Sequence, residues 1–517
     1  MNSKAIYRKP IVLLLAALLG IGLFVFRDYG LTWDEPLFYK YGDALGYAYT
    51  PADWFSGQFD LNKSYGPSGD DHKNRGPAYL LLAREPVYLI EKLGLDTPSA
   101  WHLINFITFL LGVYFVYRIS ERLMNAWAAL GAATLFALQP LLWGHAFINP
   151  KDMPFLVFFA GSLWLGFRMV DQLVDSGLMS PGRRLASVLL PAFFLGIATA
   201  NRVLGPMAAL LVVAYLLAQR PQRGVLLWTV PYALIAVLVA FAAWPYLWEG
   251  PGRFLGAFEF MSANPTILPV LFADQVYRAY DLPRRYLPFY LFFTLTEFVW
   301  PAFIIGTVAA ARKLAHAPRR LQQMLLILAW FLLPTVYVLV RRPPMYDGMR
   351  HFLFILPPVF ILSGFAVEVL FERLGNRLLN VLIVGAILLP GLVGMIRLHP
   401  YEYAYYNLFL GGTSGAFRHY ETDYWLTCYK EAVQEFNQRQ QQPVKLYVHR
   451  EAEVAQPYAA GNVTVLDERG AKSQITSGDF VLVNTRTNED RQAFHDAPVL
   501  LEVGRAGATF CVIKSIP

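Results

Sequence analysis

The chain has 517 residues, of which 56% are hydrophobic, 15% aromatic and only 16% charged, with a mean hydropathy of +0.38. Soluble domains carry about 25% charged residues, so this composition excludes disorder and coiled coil and indicates a chain whose apolar surface faces lipid. The two cysteines exclude a disulfide scaffold, and the formal net charge of +7 is more typical of basic cytoplasmic loops than of nucleic-acid binding.

About eleven stretches are apolar over the roughly 20 residues that a membrane-spanning helix needs. They are predicted near residues 10–26, 99–118, 124–147, 150–170, 184–201, 205–219, 224–247, 287–311, 321–340, 350–370 and 377–397. The first stretch has no cleavage site of the A-x-A type, so it is predicted to be a retained helix. With the N-terminus in the cytoplasm every cytoplasmic turn is basic, as the positive-inside rule requires. The odd number of spans then places the C-terminal end outside.

Two parts of the chain are predicted to lie outside the membrane. The first outer loop, 27–98, is too long for a connector and is predicted to form short surface helices. The composition turns polar near residue 400, which predicts a membrane domain over 1–399 and a small extracytoplasmic α/β domain over 400–517, with four to five strands. Its cysteines, Cys428 and Cys511, form either a disulfide or two buried thiols.

An acidic pair, Asp34 and Glu35, follows the first span in an aromatic setting. Adjacent carboxylates at the membrane surface suggest a general base beside a second acid that tunes it. The alternative is an ordinary helix start, with Asp34 near the N-cap and Pro36 in the first turn. Asp152, in an outer turn, is a third candidate, although an acid at a helix N-terminus is also favourable by itself.

Several cations lie on the outer side, against the positive-inside bias, and such cations need an anionic partner. Phosphate fits, because guanidinium groups bind its oxygens bidentately. The candidate phosphate ligands are Lys73, Arg75, Lys151, Arg202, Arg341, Arg342 and Arg350, with His351 in a supporting role. Glu297 lies within a predicted span and receives no role.

The sequence lacks a Walker phosphate loop, H-E-x-x-H, G-x-S-x-G and the kinase signatures, so nucleotide hydrolysis, zinc proteolysis and hydrolase chemistry have no support. A reaction outside the cytoplasm also cannot count on nucleotide donors. A lipid-linked donor, delivered through the membrane, removes both difficulties.

The order of these features resembles the GT-C superfamily of membrane glycosyltransferases. Within it, the chain is most similar to the polyprenyl-phosphate-sugar-dependent branch that includes protein O-mannosyltransferases and the aminoarabinose transferases of lipid A. The resemblance rests on the acidic pair, the acidic turn at Asp152, RGPAYLLL at 75–82, MRHFLFILPP at 349–358, and YYNLFLGG followed by ETDYWLTCYKEA within 405–433. The chain departs from the basic-Pro-Pro-Leu pattern of the branch at Gly76 and Ala78. It also lacks the W-W-D-Y-G motif of oligosaccharyltransferases.

The resemblance implies an inverting transfer of a sugar from a polyprenyl-phosphate donor to an acceptor hydroxyl. Asp34 would be the general base, and the outer arginines would stabilise the leaving phosphate. The acceptor is a glycolipid, a protein or a polysaccharide, and the expected location is the bacterial inner membrane.

Metal use stays open at the level of sequence. Asp34, Glu35 and Asp152 could hold Mg²⁺ or Mn²⁺, whereas arginines and lysines could neutralise a monophosphate without a metal. The alternative function is a transporter or flippase for a lipid-linked anion. A flippase should carry polar groups through the membrane depth and repeated halves, whereas these charges cluster on one side.

Overall fold

The computed structural model describes residues 10–67, 69–175, 180–263 and 267–517. Helices are its main element as far as residue 398. They are α1 Pro10–Val25, α2 Glu35–Ala48, α3 Pro51–Trp54, α4 Gly69–His72, α5 Ala78–Glu91, α6 Thr97–Glu121, α7 Ala126–Ala137, α8 Pro140–Ile148, α9 Asp152–Asp175, α10 Pro181–Asn201, α11 Pro206–Ala218, α12 Arg223–Leu226, α13 Thr229–Ala243, α14 Arg253–Ala263, α15 Tyr286–Phe293, α16 Val299–Leu314, α17 Pro318–Arg341, α18 Pro357–Leu374 and α19 Arg377–Leu398. Between them lie 3₁₀ turns at Leu61–Ser64, Pro245–Glu249 and Arg350–Ile355, and the hairpin of β1 Pro269–Phe272 and β2 Gln275–Arg278.

Each of the eleven apolar stretches predicted from the sequence is helical. In the described part of the chain, six spans are long and apolar enough to cross a bilayer: α6, α9, α10, α12 continuing into α13, α17 and α19. Helices α7 and α8, bent by 66°, would form a seventh. Helices α1 and α11 are shorter apolar helices of 16 and 13 residues. The structure supports a multi-pass helical protein, while the number of eleven spans stays a prediction.

Two of the predicted spans are interrupted, and their interruptions contact each other. Pro140 has no backbone N–H and cannot continue α7, so the chain bends at Gln139. The Gln139 amide donates to Thr296 Oγ1 at 3.0 Å and accepts from the Thr296 backbone N–H at 3.1 Å. Thr296 and Glu297 lie in the break between α15 and α16, where Glu297 accepts a backbone hydrogen bond from the C-terminal segment at 2.8 Å. Glu297 therefore lies in the break between two helices and not inside a continuous helix.

Helix α9 forms the centre of the helical region. Its most apolar stretch is 94% buried in the protein, against 17% for α19 at the periphery. A helix that is apolar on all sides is stable only when it is surrounded, and α9 packs against α6, α10 and α11. Because α9 begins at Asp152, this packing fixes the position of that carboxylate.

The segment predicted as the first outer loop is a packed layer formed by α2 to α5. Helix α2 contacts α5 and the 3₁₀ turn at 61–64, and its residues Phe38, Tyr39 and Tyr41 are buried. Tyr39 stacks on Trp101 of α6 with the ring centroids 4.8 Å apart. These aromatic contacts anchor the start of α2, and with it the acidic pair, to the membrane helices.

The C-terminal region contains a five-stranded mixed sheet in the order β4-β3-β5-β7-β6. Its strands are β3 Val444–Val448, β4 Val463–Asp467, β5 Phe480–Asn484, β6 Val499–Arg505 and β7 Ala508–Ser515. The sequence predicted four to five strands in this region. Strand β3 pairs in parallel with β4 and β5, and β7 pairs antiparallel with β5 and β6. The helices of this region are α20 Gly412–Ala416, α21 Tyr429–Arg439, α22 Ala452–Ala455 and α23 Glu468–Ala471.

The segment between α19 and α21 connects the sheet to the membrane helices. Its 3₁₀ turn Glu402–Ala404 packs against α8, and Tyr403 and Trp425 are buried. Cys428, at the start of α21, forms a disulfide with Cys511 of β7, which is the first of the two alternatives expected from the sequence. The sheet and this connecting segment are therefore joined covalently beside the membrane helices.

Candidate active site

Asp34 faces an arginine that lies far from it in the sequence. Although Asp34 occupies the N-cap position of α2, its side chain makes no capping hydrogen bond. Its Oδ2 instead accepts a hydrogen bond from Arg350 Nη1 at 2.6 Å. The Asp34 side chain is 27% exposed and that of Arg350 is 5% exposed. This carboxylate does not cap the helix by a hydrogen bond of its side chain; it is oriented by an arginine and still accessible.

Asp152 lies near the same guanidinium nitrogen as Asp34. Arg350 Nη1 is 3.9 Å from Asp152 Oδ2, and Arg202 forms a direct ion pair with Asp152. Asn149 caps α9 by accepting the Asp152 backbone N–H at 2.7 Å, and its amide donates to Asp152 Oδ2 at 3.2 Å. The helix start therefore needs no cap from Asp152, whose carboxylate is left to hold the two arginines.

Arg350 also contacts a second carboxylate and two aromatic rings. Its Nη2 is 3.1 Å from Asp347 Oδ2, and its guanidinium lies over the rings of Tyr346 and Trp425 at 5.0 and 4.9 Å. Asp347 is completely buried, and burial raises its pKa. These contacts fix the plane of the guanidinium that binds Asp34.

A cavity of about 340 Å³ lies beside these ion pairs. Its polar end is lined by Asn74, Arg75, Lys151, Asn201, Arg202 and His351. Its apolar end is lined by residues that include Leu204, Met207, Phe258, Leu333, Tyr337 and Phe354. Four of these, Leu204, Phe258, Leu333 and Tyr337, are between 39% and 56% exposed, so the apolar end opens onto the protein surface.

Lys151 brings a buried amine to the polar end. Its Nζ donates to the Gly76 carbonyl at 2.8 Å, and burial together with the charges of Arg202 and Arg75 holds the pKa of Lys151 well below its usual range. Asn201 ties this turn to the end of α10 by donating to the Lys151 carbonyl at 3.1 Å. Three cationic side chains thus converge at one end of the cavity.

The glycine that departs from the family pattern has a steric reason. A Cβ atom at Gly76 would lie 2.1 Å from the carbonyl oxygen of Ala200. Only glycine allows the 75–77 turn to approach α10 this closely, and the approach gives Lys151 its carbonyl partner.

Two donors at this site lack partners. Arg202 Nε and Arg350 Nε are buried and have no hydrogen-bond acceptor among the described residues. A buried donor without an acceptor is costly, so these atoms mark a place where an anionic oxygen would be stabilised.

Glu35 lies behind the site and not in the cavity. It is completely buried, and its oxygens accept hydrogen bonds from the Thr32 backbone N–H and the Tyr39 hydroxyl at 2.6 Å each. His102 Nε2 lies 3.0 Å from the same carboxylate. These contacts give Glu35 the role of anchoring the start of α2, with Asp34 as the accessible acid of the pair.

Not all the candidate phosphate ligands converge. Arg75, Lys151, Arg202 and His351 line the cavity, and Arg350 adjoins it. Arg341 and Arg342 are exposed and lie outside it, because α17 ends at Arg341 and the left-handed backbone of Arg342 turns the chain. Lys73 also lies outside, with its ammonium 5.9 Å from the ring centroid of Tyr246.

The three carboxylates considered as metal ligands do not share a site. Asp34 and Asp152 face guanidinium groups, and Glu35 is satisfied elsewhere. Among the described residues, no group of three or more His, Cys, Asp or Glu side chains is arranged to hold a metal ion. This set of side chains does not fit a metal ion, and the reaction proposed for this protein uses none.

Some residues at or near the site were not predicted as site residues from the sequence. Asn149 and Asn201 shape the cavity through backbone contacts, and His72, stacked on Phe38, has its pKa lowered to about 4 by burial and by Arg75. The N-x-x-D spacing of Asn149 and Asp152 is a helix-cap pattern that could have been found, whereas the other contacts depend on packing.

One family model matches part of the chain. The family model of dolichyl-phosphate-mannose-protein mannosyltransferases matches residues 88–248, a stretch that contains Asp152 and Arg202. Comparison with curated protein sequences gives no match.

Solved structures show the same fold. The crystal structure of ArnT from Cupriavidus metallidurans bound to undecaprenyl phosphate is similar with a TM-score of 0.52, 15% identity and 97% of each chain covered. The archaeal oligosaccharyltransferase AglB from Archaeoglobus fulgidus, in complex with an inhibitory peptide and a dolichol-phosphate, has a TM-score of 0.52, 12% identity and coverage of 94% of this chain and 70% of that one. The chain therefore shares the fold of these two structures, as the resemblance in its sequence predicted.

Proposed function

We propose that the protein is an inverting glycosyltransferase that moves a sugar from a polyprenyl-phosphate-linked donor to an acceptor hydroxyl. The observation that carries this proposal is the two-ended cavity. Its cationic end adjoins the pair of Asp34 and Arg350, and its apolar end opens onto an apolar part of the protein surface. The similarity to proteins solved with undecaprenyl phosphate and dolichol-phosphate supports a donor of this class.

The donor phosphate belongs at the cationic end. Arg75 and Arg202 supply positive charge there, Lys151 supplies an amine, and Arg202 Nε has no acceptor among the described residues. An entering phosphate favours the protonated form of Lys151, because an adjacent anion opposes the effect of burial on its pKa. The polyprenyl chain lies along the apolar end and continues into the membrane.

The chemical step is a single displacement at the anomeric carbon. The acceptor oxygen forms a bond to that carbon on the side opposite the phosphate, and its proton moves to Asp34. The bond from carbon to the phosphate oxygen breaks, and the phosphate keeps the bonding electrons. Arginines fixed before the reaction stabilise this developing charge without rearranging. Inversion of configuration follows from one displacement.

The remaining parts of the proposal concern location and acceptor. We place the reaction on the outer face of a bacterial inner membrane, with 1–399 as the membrane domain and 400–517 outside. The acceptor is a glycolipid, a protein or a polysaccharide hydroxyl.

The test is donor consumption by the protein purified into nanodiscs. A panel of polyprenyl-phosphate sugars is supplied, and the loss of each donor and the release of polyprenyl phosphate are followed by mass spectrometry. Asp34→Asn should abolish release, because the amide cannot take the proton. Asp43→Asn, the same change at an exposed position on α2, is the matched control and should keep activity.

Two results would contradict the proposal. One is an Asp34→Asn protein with full activity. The other is a wild-type protein that moves lipid-linked anions across proteoliposomes without consuming any of them, which would favour the transporter alternative.

A further inference from the structure

A buried arginine of the C-terminal sheet region reaches the active site. Arg486 follows β5 and has no exposed surface. Its Nη2 is 2.7 Å from Asp347 Oδ1 and 3.1 Å from Glu421 Oε1, and its guanidinium lies 4.7 Å from the ring centroid of Trp33. Trp33 immediately precedes Asp34. Arg486 therefore touches two of the segments that surround the proposed base.

Asp347 connects Arg486 to the base. One of its oxygens accepts a hydrogen bond from Arg486, while the other faces Arg350 Nη2 at 3.1 Å and accepts from Trp425 Nε1 at 3.2 Å. Arg350 in turn holds Asp34. The contacts form a continuous chain from the sheet to the carboxylate that would take the proton.

The charges of these residues explain how the series of contacts affects Asp34. Asp347 and Asp34 bind Arg350 through Nη2 and Nη1 respectively, so they share the charge of one guanidinium group. Arg486 supplies Asp347 with a second cation and so leaves Arg350 free to bind Asp34. Burial raises the pKa of Glu421 and so favours its neutral form, which leaves more of the charge of Arg486 for Asp347.

The position of Arg486 is set by the sheet. Its backbone N–H donates to Asn484 Oδ1 at 3.0 Å, and the adjacent Thr485 hydroxyl bonds the carbonyl of Thr509 of β7 at 2.8 Å. Asn484 pairs in the sheet with Cys511, which the disulfide links to the segment that carries Trp425. The sheet therefore presents Arg486 from a rigid frame.

We propose that Arg486 is a positioning residue. By neutralising part of the charge of Asp347, it allows Arg350 to keep its hydrogen bond to Asp34, and the C-terminal region thereby completes the active site. This inference rests on the proposed glycosyltransferase function. Arg486 itself contacts neither donor nor acceptor.

The test compares full-length variants in nanodiscs by donor turnover. Arg486→Gln should lower kcat by about 100-fold, the effect of a displacement near 1 Å in an active site, and change the donor KM by less than about threefold. Arg486→Lys keeps the charge and should recover a large part of this loss. Arg418→Gln is the matched control, because it breaks an ion pair of 2.6 Å with Asp490 that does not lead to Asp34. It should keep kcat.

A double variant separates positioning from folding. In Arg486→Gln combined with Asp347→Asn, the competing acid is neutral, so Arg350 can return to Asp34 and kcat should rise above that of Arg486→Gln alone. A purely structural role predicts the opposite, because a second buried partner has been removed. Loss of kcat in Arg418→Gln equal to that in Arg486→Gln would also overturn the proposal.

A structural measurement, which needs no enzymatic activity, tests the positioning role of Arg486 separately from the proposed glycosyltransferase function. Cryo-EM structures of the wild type and of Arg486→Gln should show that Arg350 keeps its contact with Asp347 in the variant and loses its contact with Asp34. An unchanged contact between Arg350 and Asp34 would refute the positioning role. A wild-type protein that consumes no donor would refute the glycosyltransferase function and leave this structural comparison to decide the positioning.

Discussion

Replacing Gly76 by alanine tests the geometry of the cationic end of the cavity. The new Cβ would lie 2.1 Å from the carbonyl oxygen and 2.5 Å from the carbonyl carbon of Ala200, both of them backbone atoms. Because Cβ contacts below 3.0 Å are essentially never found, the 75–77 turn and the end of α10 must separate by about 0.9 Å. That separation moves Arg75 and Lys151 relative to Arg202.

The expected cost has two parts. Overpacking of this kind lowers the free energy of unfolding by about 1–3 kcal/mol. A displacement near 1 Å in the phosphate site should lower kcat/KM for the donor by about 100-fold. Gly69→Ala, in the same segment, is the control, because its Cβ would meet only Tyr65 at 3.6 Å.

The assays are donor turnover and thermal unfolding in nanodiscs. Gly76→Ala should lose far more activity than stability, and Gly69→Ala should lose little of either. A Gly76→Ala protein with wild-type kcat/KM would refute the placement of the donor phosphate between this turn and α10.

Three further predictions follow from the same contacts. Arg202→Gln should weaken the binding of polyprenyl phosphate at least about tenfold, because a charge-assisted hydrogen bond is worth about 1.5–3 kcal/mol. The control Arg341→Gln, at an exposed position, should bind polyprenyl phosphate normally in the same titration. Met207→Trp fills the apolar end of the cavity and should raise KM for long-chain donors more than for short-chain donors; equal effects would contradict the proposed path of the chain. Burial raises the pKa of Glu421 to about 8, so the folded protein keeps a proton that the unfolded chain releases near pH 4.3. The contribution of protonated Glu421 to the free energy of unfolding is therefore lost as the pH rises from about 5 to 8. Glu421→Gln should reduce that loss in thermal unfolding scans across this pH range, and an unchanged pH dependence would contradict the assignment.

Much of the fold was predictable, because its signals are local. A run of apolar residues near the length of a bilayer indicates a helix wherever it stands, and the alternating runs after residue 443 indicate strands. The predictions were least exact where a polar contact interrupts a run. The break at Thr296 and Glu297 is one such place, since its partner Gln139 lies on another predicted span.

The candidate site was predictable in its composition but not in its arrangement. The acidic pair and the outer cations pointed to one face of the protein, and Asp34 is indeed beside Arg350. Sequence alone could not separate Arg202, which lines the cavity, from Arg341, which is exposed on the far side of a chain turn. Exposure and orientation depend on how helices pack, and a charged side chain looks the same in sequence on either face.

The sequence by itself determined the class of this protein: an apolar, multi-helical chain with a small sheet at its C-terminal end and an acidic pair after its first helix. The tertiary structure decided which charges meet. Asp34 and Arg350 are 316 residues apart, and Asp347 and Arg486 are 139 apart. No local pattern encodes such pairs, because they form only when separately folded segments bury their charges against each other and must neutralise them there.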